Sequence, residues 1–184
     1  LTAQLMTQTT HALCIRREAY KFAAAHMTLF PDGTKEPLHG HNYQVTLKAE
    51  MSPEALEFAC LIPFSLLKED LRILCELWDE KVLIAKANPF VRIIKRTPAE
   101  TEFTATGKRY VIPTDELEIL DIQNITVEHL SAEFARRFVE RLSVHSNIRA
   151  LISIEIEINE SPGQGASCKV TLPPVRKGRN GKRK

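Results

Sequence analysis

His41-Asn42-Tyr43-Gln44-Val45-Thr46-Leu47-Lys48 alternates without a break: His41, Tyr43, Val45 and Leu47 fall on one face of an extended strand, and Asn42, Gln44, Thr46 and Lys48 on the other. Upstream, residues 12–26 mix apolar and polar positions as far as His26, and the intervening Phe30-Pro31-Asp32-Gly33 is a turn signal. The two segments therefore read as a long antiparallel pair. Downstream, Phe64, Leu67, Leu71, Leu74 and Trp78 recur at three- and four-residue steps behind Pro63, the pattern of an amphipathic helix with proline in its first turn.

A second helix is expected from about Thr126, an N-cap residue type with Glu128 in the first turn, along the stripe Val127, Leu130, Phe134, Phe138 and Leu142. Beyond it, Ile152, Ile154, Ile156 and Ile158 alternate with Ser153, Glu155, Glu157 and Asn159, and Ser161-Pro162-Gly163-Gln164-Gly165 turns the chain into a last strand near 166–172. Between the helices, residues 90–113 carry Val91-Arg92-Ile93-Ile94-Lys95 and Arg109-Tyr110-Val111-Ile112 around Thr106-Gly107-Lys108, which reads as an inserted β-hairpin. Strand pair, two helices, strand pair is an α+β order: a four-stranded antiparallel sheet with both helices on one face.

A chain of 184 residues with no recognisable linker is expected to form a single domain over 1–172. Residues 173–184 hold six of the 25 Lys and Arg residues and no acid, so the remainder is acidic, 19 basic against 23 acidic residues. Short basic ends of this kind are usually solvated and disordered, and the acidic body gives no independent support for nucleic-acid binding. Cys14, Cys60, Cys75 and Cys168 show no Cys-x-x-Cys spacing, and no membrane-length apolar run is present. A reduced, cytoplasmic protein is expected.

The chemistry lies in His26, His39 and His41. Histidines at i and i+2 on a strand point the same way, and a third on a neighbouring strand completes a set of three imidazoles. A lone His-x-His fits a packed or surface pair as well. Three protein ligands leave a position open for water or substrate, which is the arrangement of catalytic rather than structural zinc.

Phe22-Ala23-Ala24-Ala25-His26, followed by His39-Gly40-His41-Asn42-Tyr43, resembles the signature of the 6-pyruvoyltetrahydropterin and 6-carboxytetrahydropterin synthase family. The resemblance implies the tunnelling fold, a catalytic zinc on His26, His39 and His41, a reduced pterin substrate, and trimers or hexamers built by joining sheet edges. It makes Glu160, in Glu160-Ser161-Pro162, the carboxylate that anchors the pterin ring through paired hydrogen bonds. Taken alone, Glu160 reads equally as a solvated strand-end residue. Thr126 and Glu128 match the family's Pro-Thr-x-Glu helix opening with Ile125 in place of the proline, and would line the pocket, although capping accounts for both.

The sequence departs from the family in its proton-transfer groups. The stretch before His39, Thr34-Lys35-Glu36-Pro37-Leu38, has no cysteine, and the family's Asp-His pair after the first helix stands here as Asp79-Glu80. Glu36 is then the expected base, its pKa raised by burial or its carboxylate held ready beside zinc, with Asp79 and Glu80 as further proton carriers and Lys35 as a charge for the substrate's phosphates. The expected activity is a zinc-dependent lyase step on the side chain of 7,8-dihydroneopterin triphosphate or a related pterin. Two other readings stay open: a catalytically altered zinc- or pterin-binding protein, and a zinc hydrolase acting on a purine-like ring.

Overall fold

The computed structural model describes residues 10–53, 62–145 and 150–173; Cys60 and the basic residues 174–184 lie outside them. β1 (His11–His26) pairs antiparallel with β2 (His39–Met51), β2 with β8 (Leu151–Ser161), and β8 with β9 (Gln164–Thr171). This is the four-stranded antiparallel core expected from the alternation. Two short strands, β3 (Lys81–Ala85) and β7 (Leu117–Leu120), extend it beyond β1, both in parallel pairing, to give the order β7-β3-β1-β2-β8-β9.

The helices α1 (Phe64–Trp78) and α2 (Val127–Leu142) pack on one face of the sheet. Leu67, Leu71, Leu74 and Trp78 of α1 and Leu130, Phe134, Phe138 and Leu142 of α2 bury the expected stripes against Phe22, Tyr43, Val45, Leu47, Ile154, Ile156 and Ile158. Phe64 is an exception at 43% exposed, because it opens the helix at its solvent end, where the Lys68 ammonium lies 5.6 Å from its ring centre. Ile152 is another: Glu50 pairs with Ser153 but Met51 with Leu151, so Ile152 is bulged out of register and turns outward.

Residues 91–113 form a three-stranded antiparallel sheet, β4 (Val91–Arg96), β5 (Glu100–Ala105) and β6 (Lys108–Pro113), rather than a hairpin. The additional reversal rests on Thr97, whose hydroxyl accepts the Glu100 N–H at 3.0 Å while its own N–H donates to the Glu100 carbonyl at 2.9 Å. The middle strand buries Thr101, Phe103 and Ala105, and with threonine and alanine on either side of Phe103 the strand does not read as a hydrophobic alternation. The inner face of this sheet joins Met27, Leu29, Ile84 and Leu117 in a second apolar cluster beside the β1–β2 connection. Among the described residues no helix is long and apolar enough to cross a membrane.

Trp78 ties the layers together, its ring meeting Phe22 of β1 and Phe134 of α2 edge-on at 5.4 Å in each case. Trp78→Ala leaves a cavity where sheet and both helices meet and is expected to cost about 3–5 kcal/mol. Chemical denaturation checks this, and a loss below 1 kcal/mol (roughly the effect of a surface change) would show that the ring is not a structural centre.

Candidate metal centre

β1 ends and β2 begins directly opposite each other: His26 pairs with His39, Ala25 with Gly40 and Ala24 with His41. Directly opposed residues in an antiparallel pair point to the same face, and so do positions i and i+2. All three imidazoles therefore stand on the helix-covered face, at the end of the strands. Ring centres are 4.6 Å apart for His26 and His39, 5.3 Å for His26 and His41, and 4.9 Å for His39 and His41. One ring nitrogen from each lies within 4.8 Å of the others, so the three can hold one metal ion.

The backbone sets which nitrogens face inward. Nδ1 of His26 lies 3.1 Å from the Ile125 carbonyl and Nδ1 of His39 lies 2.9 Å from the Pro37 carbonyl. A carbonyl oxygen only accepts, so each Nδ1 carries the proton and each Nε2 presents a lone pair. Nε2 of His26 is buried and has no hydrogen-bond partner among the described residues, the orphaned acceptor that a metal ion would satisfy. Burial first, then the neighbouring imidazoles of His39 and His41, lowers the pKa of His26 to about 4, so its ring is neutral near pH 7. A neutral ring is the ligating form.

Glu36 is brought beside this cluster by the small reversal between β1 and β2. Gly33 takes φ +81° at its tip, Leu29 bridges to Lys35, and the Glu36 N–H donates to the Thr28 carbonyl at 2.9 Å. The expectation that burial raises the Glu36 pKa is reversed: the Thr28 hydroxyl bonded to its carboxylate, helped by the imidazoles of His39 and His26, holds it below the usual carboxylate range. It is ionised and able to accept a proton. Lys35 turns away, its ammonium donating to the Glu36 carbonyl at 2.9 Å and lying 5.6 Å from the Tyr110 ring centre on β6.

Tyr43 occupies the floor of the same face, stacked on Phe22 with ring centres 4.9 Å apart and 5.7 Å from the ring of His41. Burial, followed by the carboxylates of Glu160 and Glu36, raises its pKa and keeps the phenol protonated. Both acids thus act on one buried hydroxyl. Glu160 sits where the β8–β9 register shifts between Asn159 and Ser161.

Among the described residues, the other candidates stand outside the three-histidine cluster itself. Asp79 closes α1, and its carboxylate accepts the Ala23 N–H at 2.7 Å. Glu80, at φ +56°, lines a shallow groove with Ala23, Ala25, Gly40, His41, Asn42 and Val82, so it shares that groove with one of the three histidines. Thr126 is the N-cap of α2 by position, but its hydroxyl is engaged with His129 Nδ1 at 3.1 Å and with the Glu128 carboxylate. Asn124, Ile125 and Thr28, which do shape the site, carry no sequence pattern that marks them beyond Asn124's place just ahead of a helix.

The model of the 6-pyruvoyl tetrahydropterin synthase family matches residues 14–170. The chain belongs to this family. It is 32% identical over 148 residues to a Methanocaldococcus jannaschii protein provisionally named 6-carboxy-5,6,7,8-tetrahydropterin synthase, covering 79% of this chain and 87% of that one. Its fold matches the crystal structure of the Plasmodium vivax 6-pyruvoyl tetrahydropterin synthase with a TM-score of 0.79 at 22% identity, over 90% of this chain and all of the other. A further structure of that Plasmodium protein is of a variant with alanine in place of a glutamate described as catalytic.

His39→Ala removes the ligand nearest the buried His26 and is expected to abolish stoichiometric metal binding near neutral pH while the fold persists. Elemental analysis after dialysis, with circular dichroism as the control, checks this; a full equivalent of metal retained by the variant would refute the triad.

Proposed function

We propose that this family member is a zinc-dependent lyase acting on the side chain of a reduced pterin such as 7,8-dihydroneopterin triphosphate. The observation that carries the reading is the convergence of three imidazoles, one with an orphaned buried Nε2, beside an ionised glutamate. His26, His39 and His41 would hold the ion, and three imidazole nitrogens suit zinc. When bound, zinc supplies Lewis acidity, polarising a side-chain oxygen of the substrate and making the adjacent proton easier to remove.

The remaining work falls to the chain's own groups. Glu160 binds the pterin, its two carboxylate oxygens accepting parallel hydrogen bonds from the ring N–H and the amino group. Glu36 takes the proton from the side chain, a role in keeping with its ionised state and with the catalytic glutamate described for the Plasmodium vivax enzyme. Tyr43, stacked on Phe22, gives the site a rigid floor. The outcome is loss of triphosphate or cleavage of a side-chain carbon–carbon bond.

The same reading includes assembly into trimers or hexamers, supported by β9, an eight-residue strand at the sheet edge with no further strand beside it among the described residues. The engagement of the Asp79 carboxylate with the Ala23 N–H favours a second reading, a zinc- and pterin-binding protein that does not turn over its ligand.

Anaerobic incubation of the zinc-loaded protein with 7,8-dihydroneopterin triphosphate, followed by mass spectrometry, separates the two. A shortened or dephosphorylated pterin is expected, and Glu36→Gln should slow its formation about 10²- to 10⁴-fold. Bound but unchanged substrate would establish the binding role instead.

A further inference from the structure

Two groups of the candidate centre depend on segments that are distant in sequence. His26 is oriented by the Ile125 carbonyl, and Glu36 is held by Thr28, whose carbonyl accepts the Glu36 N–H at 2.9 Å and whose hydroxyl binds the Glu36 carboxylate. One side chain lies between these supports. The Asn124 amide oxygen accepts the Leu29 N–H at 3.1 Å, and its amide nitrogen donates to the Leu29 carbonyl at 2.9 Å. The same oxygen accepts the Ile125 N–H at 3.1 Å. Asn124 thus grips the residue after Thr28 from both sides of its backbone and steadies the residue that orients His26.

We infer that Asn124 is a positioning residue that couples the metal ligand His26 to the proton-accepting Glu36, locking the β1–β2 connection to the start of α2. The inference rests on the metal-centre reading given above. Helix capping does not explain Asn124, because Thr126 holds the N-cap position and its carbonyl accepts the Leu130 N–H at 2.9 Å. An amide is required for its chemistry: only an acceptor and a donor on one planar group can bind both the N–H and the carbonyl of a single residue. Aspartate would keep the acceptor and set a negative charge against the Leu29 carbonyl.

The test compares Asn124→Asp with the wild type in three respects: zinc affinity by chelator competition, the visible absorption of the cobalt-substituted protein, and turnover of 7,8-dihydroneopterin triphosphate. Support of metal ligands by outer groups is typically worth about 10- to 100-fold in affinity or activity. The variant should therefore bind zinc about 10- to 100-fold more weakly, shift the cobalt spectrum, and lose kcat with little change in KM. Thr28→Val, which removes only the hydroxyl on Glu36, should lower kcat while leaving zinc affinity unchanged. Wild-type zinc affinity and cobalt spectrum in Asn124→Asp would overturn the inference, even with a lowered melting temperature, since a purely structural clamp would give that pattern. Should Asn124→Asp fail to fold, Asn124→Ser, whose single short hydroxyl lacks the two separated atoms of the planar amide, carries the same expectations. Should the wild type bind zinc and leave the pterin unchanged, the lyase reading fails, and the zinc and cobalt comparisons still decide the role of Asn124.

Discussion

The register of β1 against β2 is the constraint on which the rest depends. Pairing His26 with His39, and Ala24 with His41, is what places three imidazoles on one face. A slip of one residue would carry His39 and His41 to the opposite face and leave His26 alone. The register is held by the core, where Phe22 stacks on Tyr43 at 4.9 Å and Val45 and Leu47 are fully buried beneath the helices. Gly40 contributes between the two histidines of β2: a Cβ there would stand 3.1 Å from the Ala24 carbonyl oxygen, tighter than ordinary packing allows. The candidate metal centre is thus an extension of the hydrophobic core at the open end of the strand pair.

Electrostatics at that end work in two directions. Burial disfavours charge on His26 and keeps its ring neutral, the form that can bind a metal. Glu36, although close by, keeps its charge because the Thr28 hydroxyl and the imidazoles together outweigh its modest burial. A neutral nitrogen donor beside an ionised acid is a combination suited to a metal-assisted proton transfer, and neither group needs an unusual protonation state near pH 7. The long-range supports, Ile125 for the imidazole and Asn124 for the loop, come from the segment leading into α2. The helix that caps the core therefore also carries the orientation of the centre.

Much of this was legible in the sequence, and what was not has physical reasons. The alternation through Val45 and Leu47, the heptad-like stripes of both helices and the His-Gly-His motif all report burial on a repeating period, and each appears in the fold. β3 and β7 are too short to show a period, and β5 buries threonine and alanine, which do not read as apolar alternation. Ile152 fits the pattern by type but lies at a bulge, a feature of the partner strand's register. Lys35 and Glu36 are neighbours, yet the turn sends one side chain toward Tyr110 and the other toward the histidines. Asn124 and Thr28 act through hydrogen bonds to distant backbone, which leave no local signature.

The central claim is that His26, His39 and His41 form a three-nitrogen metal centre with a coordination position free for substrate. X-ray absorption at the zinc edge of the loaded protein tests it most directly. The account predicts three imidazole nitrogens at about 2.0 Å completed by a light atom from water, with that last atom changing when pterin is added. A sulfur ligand, or fewer than three imidazoles around the metal, would contradict it.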